Sequence, residues 1–212
     1  TSFEDEGATF NEVLRLKEIC NQSKTKLTLK IGGPEAIRDI KDSTIIGVKG
    51  LVAPMVESDF GLEKFINAVE KYLNPSLIQT LNLAINVETK NSINSLDDIL
   101  DSDKLEKLYS ITIGRVDLSS SLGIHRSQIN DKIMFEIVKD AFNKIKLKGI
   151  KTTMGGAISK ESHDFIRSLH SEGYLDDVET RYVMFDVPKV LKKYEEALLK
   201  AHEFEFTWLK NK

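Results

Sequence analysis

Residues 81–88 read LNLAINVE, and this stretch decides the fold that the sequence predicts. Its odd positions, from Leu81 to Val87, are aliphatic, and its even positions, from Asn82 to Glu88, are small or polar. Successive side chains of a strand point to opposite faces, so the two sets separate. In a parallel barrel the aliphatic face packs against surrounding helices and the other face lines the interior. The stretch therefore predicts a barrel strand that ends with Glu88 pointing inward.

Short β-rich runs alternate with amphipathic helices on both sides of this stretch. Phe3 marks the end of one predicted strand, and six more are predicted at 27–31, 48–56, 77–87, 109–116, 150–158 and 178–185. Repeated βα units imply a parallel sheet with helical crossovers. No Gly-rich phosphate motif follows the first strand, which argues against an open dinucleotide-binding sheet. We therefore predict an α/β fold, a (β/α) barrel of the TIM type.

The chain is short for such a barrel. It has 212 residues, whereas eight strand–helix units usually need about 250, with a floor of roughly 200. Thr1, Ser2 and Phe3 resemble the tail of a strand, and no Met precedes them. We expect a barrel domain over residues 1–186 that is incomplete at its N-terminus, followed by a C-terminal helix over residues 187–212.

The predicted final helix is unusually apolar. One stripe of the helix carries Leu191, Tyr194, Leu198, Ala201, Phe204 and Trp208. Phe206 and Leu209 lie beside this stripe. This width exceeds what one face of a surface helix buries against its own barrel. We expect a homo-oligomer in which this helix contacts a neighbouring subunit. The alternative is that the helix folds back over the barrel or covers the gap left by the missing strand.

Charge and composition exclude several classes of protein. The net charge is −3 and the basic residues are scattered, so the footprint of a nucleic-acid binder is missing. No apolar run approaches the roughly 18 residues that a membrane span needs, and no signal peptide is visible. The one cysteine, Cys20, excludes an internal disulfide and has the pattern of a buried helix thiol. These features fit a cytoplasmic protein.

Functional residues of such barrels lie at the carboxyl ends of the strands. Glu88 is the strongest candidate there, because an unpaired inward carboxylate is costly unless a cation binds it. A divalent metal and a salt bridge to Lys30 or Arg115 are the two alternatives for that cation.

Other strand ends also carry charged residues and glycines. Acidic residues follow the predicted strands at Glu4, Asp5 and Glu57, and ordinary helix caps favour Glu less than Asp or Ser. Lys30 alternates with aliphatic neighbours, so its ammonium is expected to point inward, towards an anionic substrate or a structural carboxylate. The glycine pairs 32–33 and 155–156 either let a ligand approach the backbone or only make turns.

Five short motifs fall in order along the chain. They are Glu4-Asp5, residues 27–32 (LTLKIG), residues 50–57 (GLVAPMVE), residues 86–89 (NVET) and residues 113–119 (IGRVDLS). In this order, with helical spacers, they resemble successive strand ends of the HpcH/HpaI aldolase and citrate lyase beta-subunit family. The resemblance runs from about residue 3 to residue 123, and more loosely through Gly155 and Gly156 to the last strand.

This resemblance implies a phosphoenolpyruvate-type barrel that binds Mg²⁺ or Mn²⁺. The family's Glu and Asp ligands fall on Glu88 and Asp117. The metal would hold the carboxylate and keto oxygens of a pyruvate-like group and stabilise the enolate that C–C cleavage leaves. The residues that would orient water around the metal are Glu4, Asp5 and Glu57.

The resemblance also implies where the substrate binds, with two departures from the family. Lys30 and Arg115 would act on the carboxylate of a keto acid, with Gly32 and Gly155 beside it. Lys30 stands where the family has Arg, and so offers a point charge in place of a bidentate fork. Aldolase members also use an early His as their base, whereas the first His here is His125.

Two functions are consistent with these observations. The first is a divalent-metal-dependent carbon–carbon lyase, an aldolase or citrate-lyase-like enzyme acting on a keto acid or pyruvate-containing substrate. The second is a non-catalytic barrel that binds a small acid or a protein partner, which Lys30 and the missing early His favour. Metal-dependent turnover of a keto-acid adduct would separate the two.

Overall fold

The computed structural model describes every residue from Thr1 to Lys212. Its helices are α1 (Phe10–Gln22), α2 (Ile37–Ile46), α3 (Asp59–Tyr72), α4 (Pro75–Ile78), α5 (Lys90–Asn94), α6 (Leu96–Leu100), α7 (Arg115–Ser121), α8 (Lys132–Leu147), α9 (His163–Ser171), α10 (Val187–Val190) and α11 (Tyr194–Lys210). Its strands are β1 (Thr28–Lys30), β2 (Gly50–Ala53), β3 (Asn82–Val87), β4 (Ser110–Gly114), β5 (Lys151–Gly155), β6 (Asp177–Glu179) and β7 (Met184–Asp186). None of these helices combines the length and hydrophobicity that a membrane crossing requires.

The seven strands follow one another in the sheet in chain order. β1, β2 and β3 are paired in parallel, and so are β5 and β6, which confirms the predicted parallel βα arrangement for those strands. β7 runs antiparallel to β6. The sheet therefore lacks the eight parallel strands of a complete TIM barrel.

The first of two compact units comprises Thr1–Val87 and Asn94–Ser110. Its aliphatic strand positions form a core in which several side chains are fully buried, among them Leu29, Leu51 and Ile85. Helix α3 adds Leu62, Phe65, Ile66 and Val69 to that core, as its apolar stripe predicts. The strand end predicted near Phe3 is present as a single parallel bridge from Ser2 to Lys30.

The second unit comprises Glu88–Ile93 and Ile111–Lys212. It contains nearly all of β4 and the whole of β5, β6 and β7. On these strands the aliphatic positions Ile111, Ile113, Met154 and Val178 are fully buried. The alternate positions are small or polar, and they form the other face of the sheet: Thr112, Gly114, Lys151, Thr153, Gly155, Asp177 and Glu179.

Several predicted strands extend too far, and the differences at 77–87 and 109–116 matter most for the site. β3 begins at Asn82 and not at Leu77, because Pro75 opens the short helix α4 and a turn follows it. β4 ends at Gly114, and Arg115 is the first residue of α7. The sequence pattern does not reveal this boundary, because Arg115 and Val116 fit a strand as well as a helix. The prediction of Arg115 as a strand residue is therefore wrong.

The last predicted strand, 178–185, is a hairpin. β6 ends at Glu179, and a turn closed by the Thr180 N–H, which donates to the Val183 carbonyl at 2.8 Å, leads into β7. No Gly or Pro marks this turn, so the residue pattern continues through it as if the strand did. As a result Glu179 lies at the carboxyl end of β6, whereas Asp186 pairs back beside the first residue of β6.

The C-terminal helix α11 packs one stripe against its own unit and exposes another. Tyr194, Leu198, Ala201 and Trp208 are buried. Leu199, Phe206 and Leu209 remain exposed, Phe206 to 69%. Folding back therefore accounts for the first stripe, which includes Trp208, and leaves the second uncovered in the single chain.

Candidate active site

Glu88 follows β3 directly and is buried, with 4% of its surface exposed. Its carboxylate lies against Gly114 at the end of β4: a Cβ atom placed on Gly114 would be 2.5 Å from Glu88 Oε2. Any side chain at position 114 would therefore displace the carboxylate. The contact between Glu88 and Gly114 therefore holds a buried carboxylate beside the last residue of β4.

Asp117 lies in the first turn of α7, three residues beyond Gly114, and is exposed. A carboxylate in the first helical turn is stabilised by the positive end of the helix dipole, so ordinary helix chemistry already favours Asp here. Glu88 contacts Gly114, and Asp117 lies three residues further along the chain. That they share one cation stays a prediction.

The carboxylates of Glu88 and Asp117 fit a hard divalent cation. Nowhere in the chain do three or more His, Cys, Asp or Glu side chains form a group that could hold a metal. Mg²⁺ does not need such a group, because it is commonly bound by one or two carboxylates while water and substrate supply the remaining oxygens. The oxygen donors of Glu88 and Asp117 are of the required type.

Arg115 is completely buried, at 0% exposure. Its Nη2 donates to the Gly156 carbonyl at 2.8 Å, and its Nη1 donates to Asn130 Oδ1, also at 2.8 Å. Longer bonds reach the carbonyls of Ile129 and Ala157, both at 3.4 Å, and Ser162 Oγ at 3.3 Å. None of these partners is a carboxylate, so the guanidinium is held by backbone and neutral side-chain oxygens.

The surroundings of Arg115 disfavour its charge but also shield it. Burial lowers the pKa of Arg115 to about 10, and the nearby Tyr194 opposes that shift. Its guanidinium carbon lies 4.9 Å from the centre of the Phe165 ring, a cation–π contact. The sequence predicts Arg115 as a substrate anchor; that role stays a prediction, and it would require these internal bonds to loosen.

The loop after β5 is tied to the start of α7. Gly156 has a φ of +83°, and a Cβ atom there would lie 2.9 Å from Arg115 N and 2.7 Å from Val116 N. Glycine is needed at this position for both reasons. Ala157, the next residue, also has a positive φ, +51°, and Arg115 donates to the carbonyls of both residues.

Glu179 is a candidate that the sequence analysis missed. The pairing of Met154 with Val178 leads to Glu179 beside Gly155, and a Cβ atom on Gly155 would lie 2.8 Å from Glu179 Oε1. Gly155 therefore has a carboxylate over it, just as Gly114 does. The hairpin hid this residue, because an unbroken strand to Phe185 places position 179 near the strand's beginning. The only sequence signal is that Glu179 follows the acidic pair Asp176-Asp177 in the period of two from Asp177, which places both side chains on one strand face.

The same face of β5 and β6 carries a buried ion pair below Glu179. Lys151 Nζ lies 2.6 Å from Asp177 Oδ2, whose side chain is 8% exposed. Burial raises the pKa of Asp177, although the Lys151 hydrogen bond opposes that shift. Asp177 is thereby committed to Lys151, and Glu179 is the carboxylate nearer the strand ends.

The strand-end residues of the first unit are more exposed. Lys30 Nζ is 2.9 Å from Asp5 Oδ2, whose side chain is 69% exposed. A Cβ atom on Gly32 would lie 2.6 Å from Glu4 Cγ, so Glu4 covers Gly32 as Glu88 covers Gly114. The Gly32 N–H donates to Asp39 Oδ2 at 2.8 Å. The substrate role predicted for Lys30 and Gly32, and the water-orienting role of Glu4 and Asp5, stay predictions.

Two further residues lie at the surface. Glu57 is exposed and immediately precedes Ser58, whose hydroxyl caps α3 by accepting from the Gly61 N–H at 3.1 Å. Its predicted place around a metal stays a prediction. His125 is also exposed, and its ring caps a short 3₁₀ turn by accepting from the Ser127 N–H at 3.3 Å.

Comparison with known proteins gives a family match and structural neighbours. Residues 18–162 match the family model described as HpcH/HpaI aldolase/citrate lyase. This range includes Lys30, Glu88, Gly114 and Asp117. Among curated proteins, none matches the chain.

Three solved structures illustrate the similarity of fold. An HpcH/HpaI aldolase from Desulfitobacterium hafniense DCB-2 has a TM-score of 0.64 and 14% identity, covering 92% of this chain and 79% of its own. Citrate synthase SbnG has a TM-score of 0.69 and 19% identity, covering 97% and 83%. An HpcH/HpaI aldolase/citrate lyase family protein from Burkholderia cenocepacia J2315 has a TM-score of 0.67 and 14% identity, covering 95% and 84%. The predicted α/β fold, an incomplete TIM-type barrel, is thereby confirmed.

Proposed function

The chain belongs to the HpcH/HpaI aldolase/citrate lyase family of carbon–carbon lyases, and we propose that it uses a divalent cation to cleave or form a C–C bond next to the keto group of a small acid. The observation that carries this proposal is Glu88: a buried carboxylate held over Gly114, one turn of chain before Asp117. A buried carboxylate is costly unless a cation or hydrogen bonds stabilise it.

The chain's own residues have distinct tasks in this proposal. Glu88 and Asp117 would hold Mg²⁺ or Mn²⁺, which when bound supplies positive charge against the oxygen anion that develops as the C–C bond breaks. Gly114 leaves the space in which the Glu88 carboxylate lies. Arg115 fixes the α7 start against Gly156, so that Asp117 is carried by a rigid junction.

Binding of the substrate would fall to residues at the ends of β1 and β5. Lys30 would attract the carboxylate of the keto acid, and in the absence of substrate its ammonium is held by Asp5. Gly32 and Gly155 offer backbone without side chains, although Glu4 and Glu179 lie over them. Glu4, Asp5 and Glu57 would orient water around the cation. We also propose a cytoplasmic location for the protein.

A second candidate function is a barrel that binds a small acid or a protein partner without chemistry. Three observations favour it. Lys30 stands where the family has Arg, and Arg115, the other predicted anchor, donates to internal oxygens. No His precedes His125 to serve as a base.

The experiment that tests the proposed function measures metal binding and turnover separately. Mn²⁺ affinity is measured by electron paramagnetic resonance for the wild type, Glu88→Gln, Asp117→Asn and the control Asp164→Asn, which changes an exposed carboxylate. Because loss of a residue that only orients a ligand costs 10–100-fold in affinity, loss of a ligand should cost at least about 100-fold. Pyruvate release from a panel of 4-hydroxy-2-keto acids then reports turnover.

The outcomes separate the two candidate functions. Metal binding that depends on Glu88 and Asp117, together with metal-dependent pyruvate release, supports the lyase. Metal binding without release from any member of the panel favours the non-catalytic barrel. Mn²⁺ binding that survives both substitutions contradicts the metal site.

Assembly as a homo-oligomer through α11 is the last part of the proposal. The exposed stripe of Leu199, Phe206 and Leu209 is the surface that a second copy would cover. Light scattering should give a dimer or larger species, which Phe206→Asp dissociates and the neighbouring control Thr207→Asp does not. Trp208→Asp is unsuitable, because Trp208 is buried within its own chain and its loss would disturb folding. A monomer mass for the wild type contradicts the assembly.

A further inference from the structure

We propose that Glu179 is the catalytic residue that moves the proton in this reaction, taking it from the substrate hydroxyl and returning it to carbon. The proposal rests on the proposed lyase function. It concerns a residue that lies beyond the matched range of residues 18–162 and that the resemblance assigns no role.

Two glutamates lean over two neighbouring glycines from opposite sides. Glu88, at the end of β3, lies over Gly114 of β4, and Glu179, at the end of β6, lies over Gly155 of β5. β4 and β5 are neighbours in the sheet. The two carboxylates therefore approach from either side a strip of backbone that carries no side chain.

The two glycines lie at the same level of the sheet. Their successors in the chain are in contact, because a Cβ atom on Gly156 would lie 2.9 Å from Arg115 N, and Arg115 Nη2 donates to the Gly156 carbonyl at 2.8 Å. Neighbouring strands are about 4.8 Å apart. A small acid held between the carboxylates would therefore have Glu88 on one side and Glu179 on the other.

A buried hydroxyl on the same face also lacks a partner. Thr153 is two residues before Gly155, so its side chain points to the same face of β5. It is 1% exposed, and its Oγ1 has no hydrogen-bond partner. Buried polar groups of this kind usually have a partner, so an unpaired one on the face of β5 that carries Gly155 indicates that a polar ligand or water completes this face.

The proton transfer balances as follows for cleavage of a 4-hydroxy-2-keto acid. The Glu179 carboxylate takes the proton from the C4 hydroxyl, and the electron pair of that O–H bond becomes the C4 carbonyl. The C3–C4 bond breaks, its electron pair forms the enolate of pyruvate, and an aldehyde leaves. The Glu179 carboxylic acid then gives its proton to C3, which yields pyruvate and regenerates the carboxylate.

Other groups on the chain are less suited to this step. His125 is exposed and its ring caps a turn. Asp177 lies deeper on the same face, where only 8% of its side chain is exposed. Glu179 is half-buried at the strand end, where a substrate could reach it.

The experiment isolates the proton transfer with pyruvate alone as the probe. Exchange of the pyruvate methyl protons in D₂O is followed by ¹H NMR with Mg²⁺, in the full chain. Pyruvate binding is measured by calorimetry and Mn²⁺ binding by electron paramagnetic resonance. Stability is measured by unfolding in urea. The variants are Glu179→Gln, Glu179→Ala and the control Glu205→Gln, which changes a carboxylate that pairs with Arg181 in the same hairpin.

We expect Glu179→Gln to slow exchange about 100-fold or more, the usual contribution of a general base, with pyruvate and Mn²⁺ binding and the urea midpoint unchanged. Formate should restore exchange in Glu179→Ala, where it fills the vacated space, but not in Glu179→Gln. Glu205→Gln should match the wild type. A residue that only positions others would not give this rescue.

Each contrary result has a definite meaning. Exchange that persists within about threefold in Glu179→Gln, or a loss that formate does not restore in Glu179→Ala, overturns the role of Glu179 while leaving the lyase intact. A wild type that shows no metal-dependent exchange and binds no pyruvate overturns the proposed function, and the role of Glu179 with it.

Discussion

Lys30 and Arg115 are both cations at the carboxyl side of strands, but they differ in burial and in the groups that bind them. Lys30 in the first unit is partly exposed and pairs with Asp5, a carboxylate that is itself 69% exposed. Arg115 in the second unit is fully buried and is bound by carbonyls and neutral side chains. The difference teaches that a charge at a strand end can be structural or available to a ligand, and that burial and partners decide which.

The largest effect that tests this difference between Lys30 and Arg115 is expected for Arg115→Met. The change leaves the Gly156 carbonyl and Asn130 Oδ1 buried without their donor, and each such group costs about 1–3 kcal/mol. We expect the free energy of unfolding, measured with urea, to fall by about 3 kcal/mol or more. Arg167→Met, which removes an arginine 64% exposed, should change it by less than about 0.5 kcal/mol. Equal effects of the two substitutions would remove the structural role of Arg115.

A smaller effect is expected for Lys146→Met. Lys146 is less exposed than a surface cation and less buried than Arg115. Lys146 Nζ lies 2.6 Å from Asp176 Oδ2, and both side chains are about 70% buried. Burial alone would raise the pKa of Asp176, but the hydrogen bonds from Lys146 and from the Thr152 N–H outweigh it, and the pKa is lowered. A lowered carboxylate pKa contributes stability above its unfolded value, which is lost as pH falls through the folded value.

Lys146→Met should therefore cost about 1–2 kcal/mol of unfolding free energy at pH 7, and the difference from the wild type should vanish in acid below the lowered pKa of Asp176. Urea titrations across that range measure it. Lys144→Met is the control. Lys144 lies 3.7 Å from Asp140, whose side chain is 69% exposed, so this substitution should lower the free energy of unfolding by less than about 0.5 kcal/mol. A cost that does not change with pH would show that the pair acts through packing and not through charge.

The smallest effect on stability is expected for Lys30→Met. A pair with so exposed a partner is worth about 0–1 kcal/mol, so the urea midpoint should scarcely move. Pyruvate binding in the presence of Mn²⁺, measured by calorimetry, should nevertheless weaken by about 10-fold, the equivalent of one charged hydrogen bond. Lys64→Met, which breaks the exposed pair with Glu35, serves as control. Unchanged pyruvate binding would remove Lys30 as an anchor, and the contrast with Arg115 would become one of burial alone.

Much of the fold and one half of the candidate site could be predicted because they depend on local alternation. The aliphatic positions of 81–88 are buried, and Glu88 lies after the strand as the period of two requires. Helix caps are equally local: Thr9 and Glu12, three residues apart, form a capping box at the start of α1. In each case neighbours in sequence are neighbours in space.

Arg115 and Glu179 could not be placed in this way. The strand pattern at 109–116 does not show that Arg115 starts a helix, and only the fold brings it to Gly156, 41 residues away. The turn at Thr180 has no Gly or Pro, so the strand end at Glu179 was hidden as well. Both errors arise where a chain reversal or helix start is set by distant packing.

The sequence by itself determined the alternating βα order, the buried faces of the strands and the family to which the chain belongs, because these follow from periodicity and from short motifs in order. The tertiary structure alone decided which charges are buried and what holds them. The Arg115 guanidinium is held internally because carbonyls from a distant loop accept its hydrogen bonds, and the Glu88 carboxylate lies where it does because Gly114 leaves room for it. The energy of a charge depends on its desolvation and its partners, and neither is a property of the residue or of its neighbours in sequence.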